Sequence, residues 1–208
     1  MTRYLPVLAL LFATPALAEA PLIDDARVTV TKVRLTAGRP YTSDRHDQDE
    51  VLLIAGDGRL ATDGKSAQRR FGDAVFIPKG KQVTEELEAG DSIELVEVVM
   101  KDSRPPHPNT TGYPLGFPRP GAKNSLDNKR AAVWVYTWGP NETTPMHYHD
   151  KDIVGVFRYD GPLKSTDPAG KSTIIRYKAG EVRFTPGDRS HTEGLVSGRQ
   201  SAILMELK

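Results

Sequence analysis

The chain has 208 residues, no cysteine, and 28 basic against 27 acidic side chains, for a formal net charge of +1. Without cysteine no disulfide can hold the fold, so an apolar core or a metal must. No run of Lys and Arg is long enough for a nucleic-acid surface, so the expected partner is a small-molecule ligand or substrate and no nucleic acid.

Residues 1–18 read as a signal peptide. Arg3 supplies the positive start, "LPVLALLFATPALA" the apolar run, and Ala16-Leu17-Ala18 the small-residue cleavage pattern. Pro6 and Pro15 interrupt the run, which is short for a bilayer span. Cleavage after Ala18 is expected, by the general secretion route because no Arg-Arg pair is present. The mature chain would be periplasmic or secreted, free of the membrane, with 27 basic and 27 acidic side chains.

From there the pattern is all-β. "VTVTKVRL", "EVLLIAG", "DAVFIP", "SIELVEVVM", "AVWVYTW", "DIVGVFRY", "STIIRY", "EVRFTP" and "SAILMEL" are rich in β-branched and aromatic residues and separated by Gly, Pro, Asp and Asn. Self-comparison finds a repeat. Gly64–Gly80 aligns with Gly170–Asp188, so that Gly72 meets Gly180, Pro78 meets Pro186 and Val83 meets His191. "ELVEV" aligns with "ILMEL", setting Glu97 against Glu206, and "DRHDQDE" aligns with "HYHDKDI". The reading is therefore a unit over 19–100, a Pro/Gly-rich connector over 101–130 pinned by Tyr113, Leu115 and Phe117, and a second unit over 131–208.

The second copy carries the candidate chemistry. His147 and His149 are two apart, so on a strand they project to one face, and His191 on a later strand can meet them. Tyr148 alternates away. Imidazole suits Zn, Cu, Fe and Ni, and three protein ligands with an open position form the pattern of a catalytic centre.

These residues resemble a cupin, specifically a bicupin. His147-x-His149 with closing Gly161 matches the family's first element, and "GEVRFTPGDRSH" (Gly180–His191) its second, with Asp188 where a Gly is expected. The resemblance implies two tandem cupin-type, jelly-roll-like β-barrels (double-stranded β-helices), each with a site at its mouth. It also implies a homo-oligomer built through sheet faces as a candidate assembly. The family's fourth ligand, a Glu, falls at Ile153 or Val154, so Asp152 and Glu193 are the candidates for a fourth ligand or acid/base. In the first copy Asp44, His46 and Glu50 hold the first-element positions while Val83 replaces the last His, a degenerate site.

One divalent metal ion per chain is expected, with Zn or Cu favoured over Fe or Ni. Folding after export leaves selection to intrinsic affinity, and the missing carboxylate removes a ligand that hard ions prefer. Zn would imply hydrolase, lyase or isomerase chemistry and Cu or Fe a dioxygenase. The alternative is a non-catalytic copper- or ligand-binding protein, with Met146 and Met205 near the histidines. Arg158, Arg176 and Arg183 are candidates to face inward and take a substrate carboxylate. Gly170-Lys171-Ser172 lacks the upstream Gly of a phosphate loop and reads as a hairpin turn.

Overall fold

The computed structural model describes residues 20–44 and 47–208, so the signal-peptide reading and His46 lie outside the described residues. The first half forms β1 (Ile23–Asp24), β2 (Val28–Thr36), β3 (Tyr41–Thr42), β4 (Asp49–Ile54), β5 (Gly58–Thr62), β6 (Lys65–Arg69), β7 (Ala74–Ile77), β8 (Thr84–Ala89) and β9 (Ser92–Met100). The second forms β10 (Lys123–Asp127), β11 (Ala131–Trp138), β12 (His147–His149), β13 (Ile153–Phe157), β14 (Gly161–Thr166), β15 (Ser172–Tyr177), β16 (Val182–Thr185), β17 (Arg189–Leu195) and β18 (Gln200–Leu207). No helix occurs among the described residues.

Topology repeats as the sequence does. A five-stranded sheet ordered β1-β2-β9-β4-β7 packs with a four-stranded sheet β3-β8-β5-β6. The second unit has β10-β11-β18-β13-β16 and β12-β17-β14-β15, the same order nine strands later. Strand β10 begins at Lys123, so the segment expected as connector ends earlier and its last part belongs to the second sheet.

Both faces of each five-stranded sheet are buried, which is why these strands read as unbroken apolar runs. On β4, Val51 and Leu53 face one core while Leu52 and Ile54 face another. The core reached by Val51 and Leu53 also holds Val133, Val154, Ile203 and Met205 from the second unit. The two units thus pack sheet to sheet within one chain and share a core. Met205 lies in that core, fully buried, and not beside the histidines as the copper-holding alternative supposed.

Arginines clasp the same junction. Arg27 Nε donates to Asp152 Oδ2 at 2.8 Å, Arg130 Nε lies 3.1 Å from Asp49, and Arg158 pairs with Asp57. Arg158 is therefore turned to the junction, and Arg176 is exposed. Pair register also corrects the alignment of the last strands. Leu52 faces Glu97 as Gly155 faces Leu204, so Glu97 corresponds to Leu204 and not to Glu206. A two-residue slip preserves the face, and apolar alternation alone cannot detect it.

Candidate metal centre

Strand β12 carries His147 and His149 on one face, and antiparallel pairing with β17 sets His191 directly opposite His147. All three are buried, at 3%, 3% and 5% exposure. His149 Nε2 lies 3.1 Å from both His147 Nε2 and His191 Nε2, and the donor atoms of the three lie within 4.8 Å of one another. Tyr148 points the other way, as alternation requires, and its hydroxyl donates to Asp188 Oδ1 at 2.9 Å.

The outer ring nitrogens settle the protonation pattern. His147 Nδ1 lies 2.8 Å from the Pro145 carbonyl, which can only accept, so Nδ1 carries the proton and Nε2 turns its lone pair inward. His191 Nδ1 is 3.0 Å from Ser165 Oγ, and that hydroxyl can accept in the same way. His149 Nδ1 is buried with no hydrogen-bond partner among the described residues. One proton on His149 Nε2 could serve only one of its two close Nε2 neighbours. A single cation satisfies all three lone pairs, and the 3.1 Å spacings suit nitrogens about 2.0–2.1 Å from one ion.

Electrostatics favour the neutral ligand form. Burial lowers His147 to about 4 and His191 to about 3, with Arg189 and Arg119 adding repulsion at His191. Burial pushes His149 well below its usual value, and Arg189 adds to that. Neutral imidazoles do not have to shed a proton to accept a metal.

The candidate fourth residues part company. Asp152 accepts from Arg27 and from the Gly187 backbone N–H at 2.8 Å, so its carboxylate is engaged at the unit junction. Neither it nor Glu193 belongs to the close donor set. Glu193 is nearby, with Oε1 3.9 Å from His191 Nε2 and Oε2 3.8 Å from Arg119. In the first unit, Ser43 donates its backbone N–H to the Val83 carbonyl, so Ser43, buried, takes the place of His147 while Asp44 is exposed. Glu50 does sit where Ile153 does, as expected, and it is buried.

The segment before β10 completes the site. The Gly116 N–H donates to the Tyr148 carbonyl, and the Tyr148 N–H to that of Pro114, so residues 114–116 run alongside β12. A Cβ on Gly116 would sit 2.6 Å from His149 Cε1; only hydrogen fits there. Phe117 stacks on Trp134, and Arg119 lies over the Tyr136 ring at 3.8 Å with its NH1 3.4 Å from His147 Nε2. Arg119 escaped sequence reading. Its only local signal is an aromatic and basic cluster, "GYPLGFPRPG", inside a proline-rich stretch.

A cavity of about 240 Å³ opens beside the histidines. Ile153, Phe157, Phe184 and Leu204 form apolar wall, and Arg119, Arg183, Arg189 and Glu193 are its charged lining. Of the three arginines proposed from sequence, Arg183 is the one that reaches it.

No protein-family model matches the chain, and no curated protein sequence does. Among solved structures it is similar to a cupin 2 conserved barrel domain protein from Leptotrichia buccalis, at TM-score 0.56 and 16% identity over 96% of this chain and 93% of that one. It is similar to AerE from Microcystis aeruginosa, at TM-score 0.59 and 10% identity over 95% and 100% of the two chains. It is also similar to Bacillus subtilis oxalate decarboxylase, a protein with Mn(II) centres, at TM-score 0.60 and 12% identity over 88% and 70%. At these identities the likeness is one of architecture: the chain has the all-β cupin fold.

Proposed function

We propose that the protein is an exported bicupin that performs metal-dependent chemistry on a small molecule, with one divalent ion held by His147, His149 and His191. The observation that carries this is the convergence of three Nε2 atoms at a cavity, with the outer nitrogen of His147 locked by Pro145. Zn or Cu is the expected ion ahead of Fe or Ni. When bound, Zn would supply Lewis acidity toward hydrolysis, elimination or isomerisation, and Cu or Fe would supply redox chemistry with dioxygen toward dioxygenation. The chain's own contribution is positional. His191 is held by Ser165, Gly116 packs closely against the His149 ring, and Glu193 is placed to hold or pass a proton at the cavity wall. The fold likeness to oxalate decarboxylase supports metal chemistry in this architecture and does not select a reaction.

The first unit serves as structural support in this reading. Elemental mass spectrometry on mature protein recovered from the periplasm tests the metal, and N-terminal sequencing tests the start at Glu19. One Zn or Cu per chain, absent from His191→Ala, is the expected outcome. Metal-free protein that resists reconstitution would sink the proposal.

A further inference from the structure

The Arg119 side chain is 9% exposed, yet its Nε and NH2 have no hydrogen-bond partner among the described residues. Leaving such donors unmade costs free energy in a folded protein, so their partner is to be sought in what enters the cavity. Aromatic rings surround the guanidinium carbon: Tyr136 lies 3.8 Å away, Phe117 4.7 Å and Trp138 6.0 Å. Cation–π contacts of this kind hold the group without using its N–H donors. Arg189, on β17 two residues before His191, also lines the cavity with a buried Nε that has no partner. Arg183 is different, because its Nε donates to Glu181 at 2.5 Å.

Two guanidinium edges thus border one cavity beside the neutral imidazoles of His149 and His191, against a single lining carboxylate, Glu193. Glu193 pairs with Arg119 at 3.8 Å, so it offsets one of the two positive charges, but at that distance it makes no hydrogen bond and leaves the N–H edge of Arg119 unused. At about 240 Å³ the space is smaller than the roughly 300–1,000 Å³ common for drug-sized ligands, which favours a small molecule.

We infer that the ligand of this cavity is a small organic acid whose carboxylate is received by Arg119 and Arg189. This rests on the metal-centre reading for its chemistry but not for its binding, because protein contacts alone, the aromatic rings around Arg119 among them, place the guanidinium groups. Arg119 NH1 lies 3.4 Å from His147 Nε2, so a carboxylate seated on Arg119 lies next to the atoms that would hold the metal. Arg119 is therefore the specificity-determining residue, selecting the acid over its uncharged analogues.

The test titrates acetate, glycolate, malonate and succinate, with acetamide and malonamide as neutral counterparts, into metal-free and zinc-loaded protein. Binding is read by calorimetry and by Trp134 and Trp138 fluorescence. At least one acid should bind both forms at least about tenfold tighter than its amide. Arg119→Gln should lose about tenfold or more, Arg189→Gln several-fold, and exposed Arg176→Gln nothing. Arg119→Lys keeps the charge without the planar fork and should recover only part of the affinity, with thermal melts confirming that each variant folds. Amides binding as well as acids, no acid binding, or Arg119→Gln and Arg189→Gln both binding like the parent would overturn the inference. Metal content measured on the same samples separates the two readings. Metal without acid binding leaves the centre and removes the acid; acid binding without metal does the reverse.

Discussion

The two units share one topology and fill their interiors in opposite ways. The first packs Val33, Leu35, Leu52, Ile54, Leu60, Ile77, Leu87 and Leu95 among others into a continuous core. The second has a smaller buried cluster around Trp138, Phe157, Leu163, Tyr177 and Ala202, and a cavity. Register locates the difference. Leu52 corresponds to Gly155, which removes an isobutyl group at the cavity wall, whereas the facing pair Ile54 and Leu95 becomes the large-and-small pair Phe157 and Ala202. The buried polar residues differ as well. Glu50, Glu85 and Glu97 are buried in the first unit, where the second has three imidazoles and cavity-lining arginines. A duplicated fold can keep one copy as packing and open the other as a site, because strand pairing depends on backbone and leaves the inward side chains free to change.

Four experiments break or sharpen that contrast. The largest effect is expected at the metal. His147→Ala should reduce bound metal from about one ion per chain to background by elemental mass spectrometry, while Ser43→Ala at the matching place of the first unit should not change it. Retained metal in the histidine variant would remove the contrast.

Next is the junction. Asp152→Asn leaves Arg27 buried without its charge partner, and chemical denaturation should show a loss of about 3–5 kcal/mol. Metal content should stay that of the parent, since this carboxylate lies outside the donor set. A loss of metal with unchanged stability would return Asp152 to the site.

Gly116→Ala forces a Cβ to within 2.6 Å of His149 Cε1. The ring must shift, and chelator competition should show affinity falling about 10- to 100-fold, the range seen when supporting contacts of a metal ligand are lost.

The smallest effect belongs to the acidic interior of the first unit. Burial and the neighbouring Glu97 raise Glu50 from 4.5 to about 9, and Tyr41 donates to Glu97. A carboxyl whose pKa is higher folded than unfolded binds more protons when folded. Its stabilisation is complete below about pH 4.5 and is lost as pH rises through about 9. Thermal stability should therefore fall from pH 6 to pH 9, and Glu50→Gln should flatten the profile and raise Tm at pH 9 by a few degrees. An unchanged slope would show that Glu50 is ionised in the folded protein.

Much of this was legible without coordinates. Alternation and turn residues announce an all-β chain, and the matched Gly72/Gly180 and Pro78/Pro186 announce the repeat. Spacing alone puts His147 and His149 on one face, because a strand has a period of two. Assigning Glu50 to the place of Ile153 was also within reach. The slip from Glu97 to Glu206 was not visible, because two residues along a strand restore the same face. Nor was the substitution of Ser43 for Asp44, which backbone pairing to Val83 decides.

The amino-acid sequence by itself determined the strand-rich fold, its duplication and the identity of three convergent histidines, since each depends on local period and punctuation. Only the tertiary structure decided what surrounds them. Arg27 draws Asp152 away from the centre across 125 residues, the junction takes Arg158 and Met205, and the proline-rich segment delivers Gly116 and Arg119 to the cavity. Those outcomes depend on which surfaces meet in space, and contacts between distant parts of a chain leave no periodic trace in its order of residues.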